Sequence, residues 1–484
     1  MVFLAVWIII VKIAPFCAIA YNHRNKATMN TRSLLRAGIT ISLVASSPLA
    51  LATNGYFTHG LGVKNKALAG AGTADPQEAI ATSINPAAAV IVGERFETGL
   101  AIFSPRRSYT ASSSFANGQG GAFTIGQGEV DSDSEFFPIP YIAKTWVIDD
   151  ESAWGLSIYG RGGMNTDYRG GSAVFDPDGP GPAPVMTLPG PYGAGNAGVN
   201  LMQAFSDISY SRQNGNLSWG VAAVLAAQAF RGNGFGSFAP YTETFAASGG
   251  TAFPASLTNN SHDYAYGAGF KLGFIWQASE RFSVSLSFQS QIKMSEFDDY
   301  SDLFAEQGGF DIPESFRGGI AYKVSELSSV YYDIEHTAFS SVGSVGNPIE
   351  NLFRCPTAGA GGTSLNSCLG ASHGAGFGWD DMTTHKIGYQ WRNPSLENWV
   401  FRAGMSQGSQ PIEDSQVLFN MMAPGVIENH FTFGFTHTVS SGREYSVGVM
   451  YAPEEKISGP SPFDPTQTIE LKMHQFEIEF GYSW

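Results

Sequence analysis

The side chains able to do covalent or metal chemistry are few and scattered. Six histidines, His262, His336, His385, His430, His437 and His474, fall in segments of alternating polarity, yet no G-x-S-x-G elbow or serine at a fixed spacing supplies them with a nucleophile. Neither a phosphate loop, an H-E-x-x-H helix nor a dinucleotide fingerprint occurs, so no cofactor is implied and none of these residues is read as catalytic. Cys355 and Cys368 stand thirteen residues apart in a Gly/Ser-rich stretch. That spacing suits a disulfide closing a surface loop in an oxidising compartment, and with no further Cys or close His pair beside them a metal site is disfavoured.

The elements that carry these residues announce themselves by period. Phe476, Ile478, Phe480, Tyr482 and Trp484 alternate with Gln475, Glu477, Glu479, Gly481 and Ser483, and the same alternation recurs at 282–288, 431–435 and 445–451. Strands are expected near 94–104, 135–148, 152–164, 201–214, 217–231, 262–278, 281–296, 312–325, 328–338, 381–393, 397–408, 427–439, 442–455 and 470–484, about fourteen in all. Their connections alternate between tight turns, such as Asn214-Gly215-Asn216, and long Gly/Pro/Ser-rich loops. An even strand count, two loop classes on opposite rims and an aromatic end define an all-β chain: a transmembrane antiparallel β-barrel of about 14 strands over 94–484. A secreted sandwich shares the alternation but not the two loop classes.

The amino terminus agrees with export. From Met29, a cationic start with Arg32 and Arg36, an apolar run Ala37–Val44 and a terminal Ala50-Leu51-Ala52 make a Sec-type signal peptide over 29–52, with 1–28 an upstream extension of the reading frame. Losing that stretch removes five cations and no acids from totals of 27 and 42, so the net charge falls from −15 to −20. Nucleic acid is excluded as a partner, since its binding needs a basic face.

Residues 53–93 fit neither strand nor amphipathic helix; their Gly, Ala and Asn-Pro content breaks both periods. Too apolar for a solvated linker, this segment is expected to plug the barrel lumen as a hatch. The wall is greasy in places. Ala222, Val224 and Ala226 oppose Val221, Ala223 and Leu225, and Phe137, Ile139 and Tyr141 oppose Phe136, Pro138 and Pro140. Either an apolar cargo passes there or small residues pack on the hatch. Gly160, Gly162 and Gly163 around Arg161 predict a kink that opens the wall sideways, or an ordinary strand end. The loop 170–200, with Phe175, Val185, Met186, Leu188 and Tyr192, reads as an apolar capture surface or a capped loop.

Hatch, strand count and carboxyl terminus together resemble the FadL family of outer-membrane transporters for long-chain fatty acids and other hydrophobic compounds, over essentially all of 53–484. The motifs are Gly60-Leu61-Gly62, Ala67 to Gly72, Asn85-Pro86-Ala87, Gly162-Gly163-Met164-Asn165, Ile312-Pro313 and Gln410-Pro411-Ile412. The resemblance implies a monomer in the outer membrane of a Gram-negative cell, among its lipids. It implies passive passage of a hydrophobic small-molecule cargo, fatty acid or aromatic hydrocarbon: capture on outer loops, an apolar pocket against the hatch, and lateral release beside a kinked third strand. Carried over, Asn85, Pro86 and Ala87 are the hatch signature, Thr53, Asn54, Gly55, Tyr56 and Phe57 the amino-terminal gate, and Gly160, Gly162 and Gly163 the lateral opening. A carboxylate cargo calls for a lumen cation, for which Arg317 and Lys323 are candidates unless they pair with Glu477, Glu479 or hatch acids. The reading from another class is an outer-membrane lipid-modifying enzyme with Ser and His at the lipid-facing rim.

Overall fold

The structure, a computed structural model, describes residues 54–176, 184–356 and 361–484. The expected signal peptide 29–52, the extension 1–28 and Thr53 lie outside the described residues. Fourteen antiparallel strands close into a barrel: β1 Arg95–Ala111, β2 Phe137–Asp149, β3 Ser152–Asn165, β4 Gly198–Asn214, β5 Leu217–Asn233, β6 Asp263–Ser279, β7 Phe282–Gln289, β8 Ser315–Ser325, β9 Ser328–Thr337, β10 Met382–Arg392, β11 Trp399–Gly408, β12 Asn429–Thr438, β13 Glu444–Ser461 and β14 Asp464–Ser483. Neighbours in sequence are neighbours in the wall, and β14 closes the ring on β1 with Leu100 opposite Phe480. Among the described residues no helix is long and apolar enough to cross a membrane.

The period-2 pattern decides which face is which. Phe476 (47 % exposed), Phe480 and Trp484 point out, while Glu477 and Glu479 (each 2 %) point in. On β6, Phe270, Leu272, Phe274 and Trp276 form the outer row and Lys271 is buried within. An apolar outside around a charged inside is stable only in lipid.

Three stretches differ most from expectation. The strand expected over 281–296 stops at Gln289, and Lys293–Met294 pairs separately with Gly267–Ala268. β1 continues past Pro105 to Ala111, with Gly128–Asp131 pairing alongside its outer end. The stretch 456–469, expected as a loop, is the top of a tall β13–β14 hairpin that closes at Ser461 and Asp464. Its Gly459-Pro460-Ser461-Pro462 composition reads as loop, but Ile457, Ile469 and Leu471 all bury inward and hold the ladder in register.

Residues 54–93 fill the lumen. Their backbone is a succession of short turns, Val63–Lys66, Ala79–Ser83 and Ala88–Val92, and most of it is buried. Such irregular backbone needs partners from the wall, which supplies them. Asp333 accepts from the Gly72 N–H at 2.8 Å, Glu97 from the Ile80 N–H at 2.7 Å, and Thr432 Oγ1 donates to the Ala67 carbonyl at 2.9 Å. Lys66 lies between Glu477 and Glu479, 2.9 Å from each.

Glycines let the two backbones meet. Gly220 and Gly273 face each other across β5 and β6, and a Cβ on either would collide with Pro86 or Asn85. Gly404 on β11 and Gly434 on β12 give the same clearance to Leu68 and Ala67. Replacing Gly220 by Val is expected to unseat the Asn85-Pro86 turn and cost about 1–3 kcal/mol. Gly318→Ala, whose Cβ meets only ordinary contacts with Leu286 and Ile334, should leave stability unchanged. Urea unfolding of the two variants in detergent measures both.

Candidate functional site

One seam of the wall parts before its strands end. β2 and β3 pair from Asp149 and Ser152 to Tyr141 and Tyr159 and then separate, although β2 runs on to Phe137 and β3 to Asn165. The reason lies in the sequence Phe137-Pro138-Ile139-Pro140. Two prolines without N–H groups can pair on one edge only, and that edge is taken by Leu100–Phe103 of β1. On the other side β3 bulges between Gly160 and Gly162, so that Arg161 is the extra residue and points into the lumen. A Cβ at Gly162 would displace the Gln203 amide and crowd the Phe57 ring.

The tip of the inner segment takes the place of the missing partner. Thr58 N–H donates to the Arg161 carbonyl at 2.9 Å, Gly163 N–H to the Tyr56 carbonyl at 3.0 Å, and Phe57 bridges Gly162. The Arg161 guanidinium lies 4.6 Å over the Phe57 ring. Tyr56 and Phe57 stack on Phe339 at 5.1 and 5.7 Å, and Tyr56 on Trp379 at 5.8 Å. Both of these ring partners come from the loop 338–381, in which Cys355 and Cys368 are joined as a disulfide.

Two cavities adjoin this tip. The outer one is walled by Tyr192, Phe230, Phe235, Phe238, Phe304 and Phe377, with Met422 at one side. The inner one lies between Tyr56, Gly163–Asn165, Trp379, Met422 and Met473. Met422 lines both, so the two are contiguous around one flexible side chain. Tyr192, from the loop 170–200, donates its hydroxyl to the Leu418 carbonyl at 2.7 Å and turns its ring to the outer cavity. Within that loop Ser172–Phe175 and Met186–Pro189 form a small sheet with Phe123–Ile125.

Arg107 carries charge into the inner cavity. Its side chain is 7 % exposed, Nη2 donates to the Ser134 carbonyl at 3.4 Å, the guanidinium lies 5.6 Å over Phe137, and Nε has no acceptor. No carboxylate pairs with it among the described residues. The sequence reading missed it by ending β1 before Pro105; the Arg106-Arg107 pair just beyond was the available signal.

Of the cations expected from sequence, Arg317 pairs with neither Glu477 nor Glu479, which Lys66 occupies, but with Glu335 on the adjacent strand at 2.6 Å. Lys323 is exposed at the short-turn rim, away from both cavities. Asn85 donates to the carbonyls of Phe274 and Leu286, both at 3.2 Å, while its Oδ1 accepts from Ala87 N–H at 3.0 Å, so one amide caps its own turn and pins it to two strands. Burial and the neighbouring Lys66 and His430 hold His59 well below its usual range. His385 faces outward and meets the Tyr332 hydroxyl at 2.7 Å, with no serine nucleophile in this contact.

A closed fourteen-stranded barrel with a lipid-facing surface, a filled lumen and apolar cavities under its long loops defines a class, the outer-membrane transport barrels for hydrophobic molecules. Residues 41–458 match the model of the outer membrane protein transport protein family (OMPP1/FadL/TodX), and the chain belongs to that family. No curated protein matches the sequence. The fold is similar to that of the P. putida toluene transporter TodX, at 14 % identity over 88 % of this chain and 98 % of that one, TM-score 0.58. It is also similar to a Pseudomonas aeruginosa FadL homologue (15 %, 89 % and 98 %, 0.57) and the Ralstonia pickettii toluene transporter TbuX (15 %, 88 % and 98 %, 0.51). The family places the protein in the outer membrane as a transport protein for hydrophobic compounds. Replacing Phe377, a partly buried wall residue of the outer cavity, by Arg is expected to weaken binding of the apolar dye N-phenyl-1-naphthylamine at least about tenfold. Dye titration of the detergent-purified barrel, with heat-modifiable gel migration confirming the fold, reads this out.

Proposed function

We propose that the protein carries long-chain fatty acids passively across the outer membrane, as a monomer, with residues 53–93 acting as the hatch. The observation that supports a fatty acid is Arg107: one cation without a carboxylate partner in a cavity lined largely by apolar groups, Trp379, Met422, Met473 and Tyr56 among them. A molecule with a long apolar body and a single carboxylate matches that pairing of surfaces, the tail filling the outer cavity and the head meeting the guanidinium. Cargo caught under the long loops passes Met422 to reach the tip at Gly55–Phe57. It leaves into lipid between β2 and β3 when the tip withdraws, near Gly160, Gly162 and Gly163. The Asn85-Pro86-Ala87 turn, bound to two strands, fixes the rest of the hatch while the tip moves.

A second reading is aromatic hydrocarbon uptake by the same route. It is supported by the phenylalanine-rich outer cavity and by likeness in fold to proteins described as toluene transporters.

Uptake of radiolabelled oleate and of toluene into cells lacking their own carriers separates the two. The intact protein is expected to raise oleate entry over an empty vector; Arg107→Met and the Asn85→Ala, Pro86→Ala double variant should each lower it at equal surface expression, Arg107→Met by about tenfold, and toluene entry should not respond to Arg107→Met. Toluene entry alone would select the aromatic reading. Entry of small sugars without either compound would replace both with an open pore.

A further inference from the structure

Behind the tip lies a polar cavity that shares no lining residue with the two apolar ones. Its walls are Thr58, Gly60 and Ser83 of the inner segment and the inward faces of β3, β6, β7, β8 and β9. Arg161, Lys271, Arg317 and Glu335 all line it.

Its charges do not balance. Glu335 serves three cations: Arg317 and Lys386 at 2.6 Å each, and Arg161 at 3.4 Å. Lys271 pairs with Asp207 at 2.6 Å. Asp333, the remaining nearby carboxylate, is turned to Gly72 and Thr73. Four cations therefore face three carboxylates whose side chains are nearly all buried, where an uncompensated charge is costly.

Two donors in the same cavity also lack acceptors. Arg317 gives Nη2 to Glu335, and its Nη1 has no partner. Gln289 accepts from Arg161 Nη1 through Oε1 at 2.6 Å, which fixes the amide, and its Nε2 is likewise unpaired. Gln289 is 3 % exposed. A water molecule would satisfy the two N–H groups and leave the charge; a monovalent anion answers both.

We propose that this cavity binds one small monovalent anion, of the halide or short-carboxylate class, between Arg317 Nη1 and Gln289 Nε2. The ion completes the charge cluster that holds the inner segment from the wall side, where Lys386 donates to the His59 carbonyl at 3.0 Å and Lys271 to the Ser83 carbonyl at 2.7 Å. It is a structural counter-ion, and it does not depend on which cargo the protein carries.

Crystals of the detergent-purified protein grown in sodium bromide, measured at the bromine absorption edge, test this directly. The expected result is an anomalous peak within hydrogen-bonding reach of Arg317 and Gln289 that persists when dodecanoate is added and disappears in Gln289→Leu. A water there without anomalous signal overturns the proposal. So does a bromide peak that dodecanoate displaces, since the cluster would then read a cargo head group. In solution, the thermal transition should lie about 2 °C or more higher in sodium chloride than in sodium gluconate at equal ionic strength, and Gln289→Leu should abolish the difference. Equal transitions for the unaltered protein in the two salts also count against the ion. Neither readout involves uptake, so a failed transport assay leaves this result standing.

Discussion

A backbone that is neither helix nor strand sits inside a wall surrounded by lipid, and its N–H and C=O groups must find partners there. The rest of the architecture follows from that demand. Asp333, Glu97, Thr432, Lys271 and Lys386 turn inward to supply hydrogen bonds to residues 58–83. Glycines at 220, 273, 404 and 434 remove side chains where the two backbones approach. A porin with a wet lumen needs neither provision.

The same demand explains why the tip of the inner segment lies where it does. β3 beyond its bulge has hydrogen-bonding groups that β2, with Pro138 and Pro140, leaves unmatched, and Tyr56 to Thr58 take them up. Aromatic rings from the disulfide-tied loop press on this tip from outside, so loop, tip and wall share one contact region. Apolar cavities gather there because Phe and Met side chains pack beside a backbone that is already paired, while charged groups are concentrated on the opposite side of the segment.

Period-2 alternation made the barrel legible: a residue such as Phe480 has to face lipid if Glu479 is to face the lumen, and most of the segments obey that rule, those around 136–141 and 221–226 being apolar on both faces. The alternation says nothing about where a strand ends when proline and glycine enter it. Pro105 and Gly459-Pro460 therefore read as stops although the strands continue through them, and Arg107 was lost with the end of β1. The pairing of Arg317 was hidden for a different reason. Its partner Glu335 is eighteen residues away and reaches it through the register of β8 against β9, with Arg317 opposite Glu335. The glycines around Arg161 were visible in sequence, whereas their relation to Pro138 and Pro140 appears once the two strands are laid side by side.

A barrel is also a mechanical hoop, and its resistance to expansion is set by its weakest joint. Here β4 and β5 are laced along their full length, from Gly198 and Asn233 to Asn214 and Leu217, whereas the joint between β2 and β3 is unlaced toward the long-loop rim. At that joint both strands run on past their last pair, to Phe137 and to Asn165. Circumferential lacing is thus uneven by construction, and the spacing of two prolines decides where the interruption falls.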